Sequence, residues 1–208
     1  MALMIRIRDR SHCTQIRWRR SRLRIKAFAA VTLLCGLTFV PNFGSQGSAP
    51  TEYEVKAAYL YNFGRFVKWP AEAPSLRAKS FQLCVIGQDP FGPALYKTIS
   101  GETIGGKYVV AKQVSSPEDA EECREVFVSS SEDSKLDAIL QTLNQDRTLT
   151  VSDMPDFAQR GGMIEFVSQS NRIRFQVNLA AARRAGLTLS SELLKVATKV
   201  IGNGEPQK

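Results

Sequence analysis

From residue 52 the chain alternates short apolar runs with amphipathic stretches, and the period of that alternation changes along it. Glu52 to Trp69 places Val55, Tyr59, Phe63 and Phe66 at helical spacing, which predicts a helix stopped by Pro70. Phe81 to Ile86 reads as a strand, and Gly87 to Pro93 as a turn into a short helix over Ala94 to Ile99. Lys107 to Lys112 reads as a second strand after the Gly105-Gly106 turn. A helical turn over Glu118 to Arg124 and a third strand, Glu125 to Val128, follow. Glu132 to Leu143 carries Leu136, Ile139, Leu140 and Leu143 on one stripe, and Thr148 to Ser152 makes a fourth strand.

The period then drops to two. Met163 to Val167 and Arg172 to Val177 flank Ser168-Gln169-Ser170-Asn171, the pattern of a β-hairpin. Within it Ile173, Phe175 and Val177 alternate with Arg172, Arg174 and Gln176, so one face is expected to be buried and the other wet. Asn178 can cap a helix Leu179 to Ala185 ended by Gly186, and Ser190 can cap a last helix, Ser191 to Ile201. Strand–helix alternation closing on a hairpin predicts an α/β fold. It is a single compact domain: a mostly parallel sheet flanked by helices, with a C-terminal β-hairpin extension.

Charge separates the first 47 residues from the rest. Nine bases from Arg6 to Lys26 face one acid, Asp9, and an uncharged apolar run, Ala27 to Val40, follows. Small residues come next, around Ser45, Gly47 and Ala49. A basic start, an apolar block and a small-residue site are the parts of a secretory signal. Residues 1–47 are therefore expected to be an export leader and 48–208 the working domain. The alternative is an uncleaved N-terminal anchor. As a helix, Ala27 to Val40 spans about 21 Å, short of a bilayer core of about 30 Å unless it extends to Phe43. The whole chain has 28 basic and 20 acidic residues; without the leader 19 of each remain, so the basic footprint that nucleic acid requires is gone.

Two of the four cysteines leave with the leader, and Cys84 and Cys123 remain. In an oxidising compartment they most simply pair; the other reading is two free buried thiols. The only histidine, His12, is in the leader, so the working domain has no imidazole base, triad or histidine metal ligand. Gly101-x-x-x-x-Gly106-Lys107 imitates a phosphate loop, but Tyr108 stands where Ser or Thr must hold magnesium and a strand follows instead of a helix. Asp153 and Asp156, after a strand end, are read as turn and cap residues, and the acidic run Glu118 to Glu122 as a solvated face. No catalytic residue, metal or cofactor is expected.

The first helix carries more aromatics than one buried face holds. Tyr59, Phe63 and Phe66 are assigned to the core, while Tyr61 and Trp69 lie off that stripe and are candidates for a partner or dimer surface. The charged hairpin residues Glu165, Arg172 and Arg174 are further candidates.

Tyr53 to Pro70 (YEVKAAYLYNFGRFVKWP), the Gly-x-Asp-Pro-Phe turn at Gly87 to Phe91, and the block from Gly161 to Ala197 (GGMIEFVSQSNRIRFQVNLAAARRAGLTLSSELLKVA) together resemble the YfiR family of periplasmic regulators. The resemblance implies a non-catalytic α/β domain, usually a homodimer. It also implies a repressor of an inner-membrane diguanylate cyclase, bound through that enzyme's periplasmic sensory domain and lowering cyclic di-GMP and biofilm output. In some members an outer-membrane lipoprotein sequesters the repressor. Cys84 and Cys123 match the family's bridge in the N-terminal half, whereas the second bridge of some members has no counterpart here. A second reading is a periplasmic small-molecule sensor with its ligand in a crevice at the strand ends.

Overall fold

In the computed structural model, which describes residues 49–202, Thr51 starts the first helix. Its hydroxyl accepts from the Glu54 N–H at 3.3 Å, and the Glu54 carboxylate accepts from the Thr51 N–H at 2.7 Å. This reciprocal box satisfies two donors that the first turn would leave bare. Helix α1 runs Glu52–Arg65, shorter than expected. Val67–Lys68 instead forms a short strand, β1, antiparallel to β9 (Thr188–Leu189). Val67 is buried there, and the Ser190 N–H donates to the Phe66 carbonyl at 2.9 Å. Tertiary pairing overrides the helical period before Pro70 is reached.

The main sheet has eight strands. They are β2 (Phe81–Ile86), β3 (Thr103–Ile104), β4 (Lys107–Val114), β5 (Cys123–Val128), β6 (Leu149–Ser152), β7 (Ile164–Gln169), β8 (Arg172–Asn178) and β10 (Lys199–Ile201), in the order β10-β8-β7-β6-β5-β2-β4-β3. Only β7/β8 and β3/β4 pair antiparallel; the other neighbours are parallel. A mostly parallel α/β sheet with a C-terminal hairpin is thus the observed fold.

Alternate residues of the central strands enter two cores. Leu83, Val85 and Phe127 face α1, α2 (Pro93–Ile99), α4 (Leu179–Arg184) and α5 (Ser191–Val196). Cys84, Ile86, Val126 and Val128 face α3 (Leu136–Gln145), whose Leu136, Ile139, Leu140 and Leu143 form the expected stripe. Burial on both faces is why FQLCVI and CREVFV read as nearly unbroken apolar runs. Cys84 and Cys123 form a disulfide between neighbouring β2 and β5, with Cα atoms 5.9 Å apart. One residue beyond Cys123 the register shifts, so that Gln82 faces Cys123 but Leu83 faces Glu125, leaving Arg124 as a bulge.

Three expectations are corrected. The inward face of α1 is Lys56, Ala57, Leu60, Phe63 and Gly64, rotated from the Val55–Tyr59–Phe63–Phe66 stripe. The small residues decide this, because the helix lies so close that a Cβ on Gly64 would stand 2.7 Å from Cζ of Phe81. Phe66 is left 37% exposed and is not a core residue. The last helix ends at Val196, and Lys199–Ile201 returns as β10 beside β8, where the Thr198 N–H and hydroxyl both donate to the Phe175 carbonyl at 2.9 Å. The hairpin's polar face is not wet throughout: Gln176 and Glu165 are buried.

Candidate docking surface

The residues singled out in the sequence do not come together. Tyr61 is partly exposed on α1, donates its hydroxyl to Glu102 Oε2 at 2.7 Å, and has the Arg65 guanidinium 5.8 Å from its ring centre. Trp69 packs edge-on against Phe81 at 5.6 Å and donates its indole N–H to the Arg124 carbonyl at 3.2 Å. Its ring thus joins the segment after β1 to β2 and β5. Arg172 and Arg174 are exposed on the hairpin, and Arg172 lines a polar depression of about 410 Å³ with Glu52, Asn171 and Ile173. Glu165 is 4% exposed, and its Oε2 accepts from the Ala158 N–H at 2.9 Å. As a member of a surface it is withdrawn: the segment after β6 covers that end of the hairpin, and its carboxylate ties the segment down.

Asp153 has a larger role than a turn. Its Oδ2 accepts from Lys56 Nζ at 2.6 Å and from the Tyr53 hydroxyl at 3.1 Å, and Lys56 also reaches Glu52 at 2.5 Å. Lys56 is almost wholly buried, 4.5 Å from the centre of the Tyr53 ring. Burial pulls its ammonium down, but the hydrogen bonds to Asp153 and Glu52 outweigh it and leave the pKa raised. A cation so held, with two of its three donors given to carboxylates, is an anchor between α1 and the end of β6.

The apolar depression lies at the other end of α1. Tyr59 and Phe63 of α1, Phe66 just past its end, Phe175 of β8, and Leu193 and Val196 of α5 line about 280 Å³. Phe66 also borders an adjoining hollow of about 370 Å³ with Arg65, Lys68, Thr188 and Ser190. Phe66 and the 59% exposed Val196 therefore flank an apolar groove whose rim carries the bases Arg65 and Lys68 and the acid Glu192. The sequence pattern missed it because the helical period assigned Phe66 to the core. The available signal was Val196, an apolar residue on the Leu193 face at the last position of a short helix.

The strand-end position of the sensor reading is bridged by local contacts. A crevice there would open between β2 and β5, where the strand order reverses. There Gln88 N–H donates to Ser131 Oγ at 2.9 Å, and Ser131 and Glu132 press on Gly87, which has φ +85°. Among the described residues no cluster of three His, Cys, Asp or Glu side chains could hold a metal ion.

A disulfide-closed α/β domain whose most apolar depression is an aromatic groove is suited to contact, and the comparison with known families bears on its class. The model described as YfiR/HmsC-like matches residues 53–198, from α1 to the approach of β10. The chain belongs to the YfiR/HmsC-like family. The family is regulatory and non-catalytic, and it is associated with periplasmic control of diguanylate cyclases. No described helix is long and apolar enough to cross a membrane. None of the curated proteins matches the chain. Among solved structures, a conserved domain protein from Vibrio cholerae O1 biovar eltor is 12% identical at a TM-score of 0.49, covering 72% of this chain and 60% of its own. The ABC domain in complex with L-Trp from Streptococcus pneumonia is 12% identical at 0.42, covering 58% and 55%. At those scores neither likeness bears on the fold or the activity of this family member.

Proposed function

We propose that this protein is an exported repressor that binds the periplasmic sensory domain of an inner-membrane diguanylate cyclase and lowers cyclic di-GMP. The observation that carries this reading is the match to a regulatory family across residues 53–198. Residues 1–47, outside the described residues, supply the export signal, and the mature protein acts as a homodimer. The groove beside Phe66 and Val196 supplies an apolar contact of the kind that anchors interfaces, with Arg65, Lys68 and Glu192 at its rim. Repression by contact requires that the groove bind the inactive form of the cyclase more tightly than the active form.

Deleting the gene is expected to raise cyclic di-GMP and surface matrix, and the wild-type gene to reverse both. Pull-down of the exported protein from envelope extracts is expected to recover a cyclase. An unchanged cyclic di-GMP level on deletion, with no membrane signalling protein recovered, sinks the proposal.

A further inference from the structure

Among the described residues the sheet has an unpaired edge that the groove does not involve. Strand β4 pairs with β2 along Val109–Val114 on one side, but on the other β3 covers only its first residues. The Val109 N–H still donates to the Glu102 carbonyl at 3.0 Å. Backbone groups alternate sides along a strand, and the β2/β4 register runs without a shift. Ala111 and Gln113 therefore turn their N–H and C=O groups outward, and among the described residues nothing meets them. On the face shared by the even positions, Tyr108 is 69% and Val110 39% exposed, beyond the cover of α3. Unpaired backbone beside exposed apolar side chains is what an added strand satisfies.

The chemistry of the edge selects its occupant. A second copy using both Ala111 and Gln113 across a two-fold axis would centre on Lys112. It would set Lys112 against its own equivalent at about 4.5 Å, the spacing of a pair not hydrogen-bonded to each other. Like charges directly opposed are unfavourable. Lys112 is exposed and forms no ion pair among the described residues. We infer that the β4 edge takes up, antiparallel, an extended segment of another protein with an acidic residue opposite Lys112 and apolar residues two positions to either side, in the rows of the exposed Val110 and the buried Val114. This surface is independent of the cyclase reading and of the groove.

The probe is the capped peptide acetyl-Thr-Val-Thr-Glu-Thr-Val-Thr-amide, with its Lys-centred counterpart as control, added to the nitrogen-15-labelled exported protein. The Glu peptide is expected to shift the Ala111 and Gln113 amide signals and slow their hydrogen exchange, binding about fivefold more tightly than the Lys peptide, the size of one strong cross-strand pair. K112E is expected to invert that preference. Ala111→Pro removes an outward N–H that bonds to no neighbour, so the variant should fold, as circular dichroism would show, yet bind neither peptide. Absence of shifts at Ala111 and Gln113, or equal binding of both peptides by wild type and K112E, overturns the proposal. So does a wild-type dimer that Ala111→Pro splits while the peptides leave the edge untouched.

Discussion

Both carboxyl oxygens of Glu125 are buried in β5 without a hydrogen-bond partner, and desolvation holds its pKa well above the usual carboxylate range. The folded chain then holds that proton more tightly than the unfolded chain. The contribution to stability is full below the unfolded pKa of about 4.3 and is lost as pH rises through the folded value. Glu125→Gln, which does not titrate, is expected to gain on wild type as pH rises above about 4.3 in urea-unfolding midpoints; parallel pH profiles would contradict it. Lys56 works in another window. Its raised pKa means that its contribution is present below about pH 10.4, the unfolded value, and is lost as pH rises through the folded one. Lys56→Met strands Asp153 and is expected to cost about 3 kcal/mol at pH 7, the lower end for a buried pair because Glu52 is largely exposed. Denaturant titration should show that gap closing in strong alkali. Neither burial was legible in the sequence. A lysine among alanines on a helix reads as solvated until the end of β6 brings Asp153 to it.

At the scale of elements, α1 sets its distance from the sheet through Gly64. Alanine there gains about 1 kcal/mol in helix propensity. Its Cβ would meet Phe81 Cζ at 2.7 Å and Ile104 Cδ1 at 2.9 Å, and overpacking costs about 1–3 kcal/mol. Gly64→Ala is therefore expected to lower the melting temperature, whereas a rise would show that the close approach relaxes freely. The Cys84–Cys123 bridge closes a loop with a sequence separation of 39 between adjacent strands. Replacing both cysteines by alanine is expected to cost up to about 4 kcal/mol in equilibrium unfolding, the chain-entropy value for such a loop. The central strands and α3 were legible because their runs and stripe are set by burial against neighbours on a regular period. The ends of α1 and α5 were not. Val67 and Lys199–Ile201 satisfy a helical pattern locally but find β9 and β8 in space.

For the molecule as a whole, the proposed repression would depend on a surface that the core leaves open. Phe66→Glu combined with Val196→Glu places charge in the apolar groove while leaving both cores intact. The double variant is expected to be exported and folded, as circular dichroism would show, with some loss of melting temperature because Phe66 is only 37% exposed. It should nonetheless fail to lower cyclic di-GMP in a deletion strain. Full repression by the variant would remove the groove from the contact. Of the surface residues chosen in the sequence, Tyr61, Arg172 and Arg174 remain accessible to a partner, Trp69 is largely engaged with Phe81 and Arg124, and Glu165 is enclosed.

Local pattern was enough to specify an α/β domain, its hairpin, and two cysteines on neighbouring apolar runs, because period and composition record which faces must leave water. The tertiary structure decided which aromatic of α1 stays outside, which charges go inside, and where the sheet ends without a neighbour. Those outcomes depend on distances between segments far apart in the chain, such as Gly64 against Phe81 or Lys56 against Asp153, and no local period encodes them.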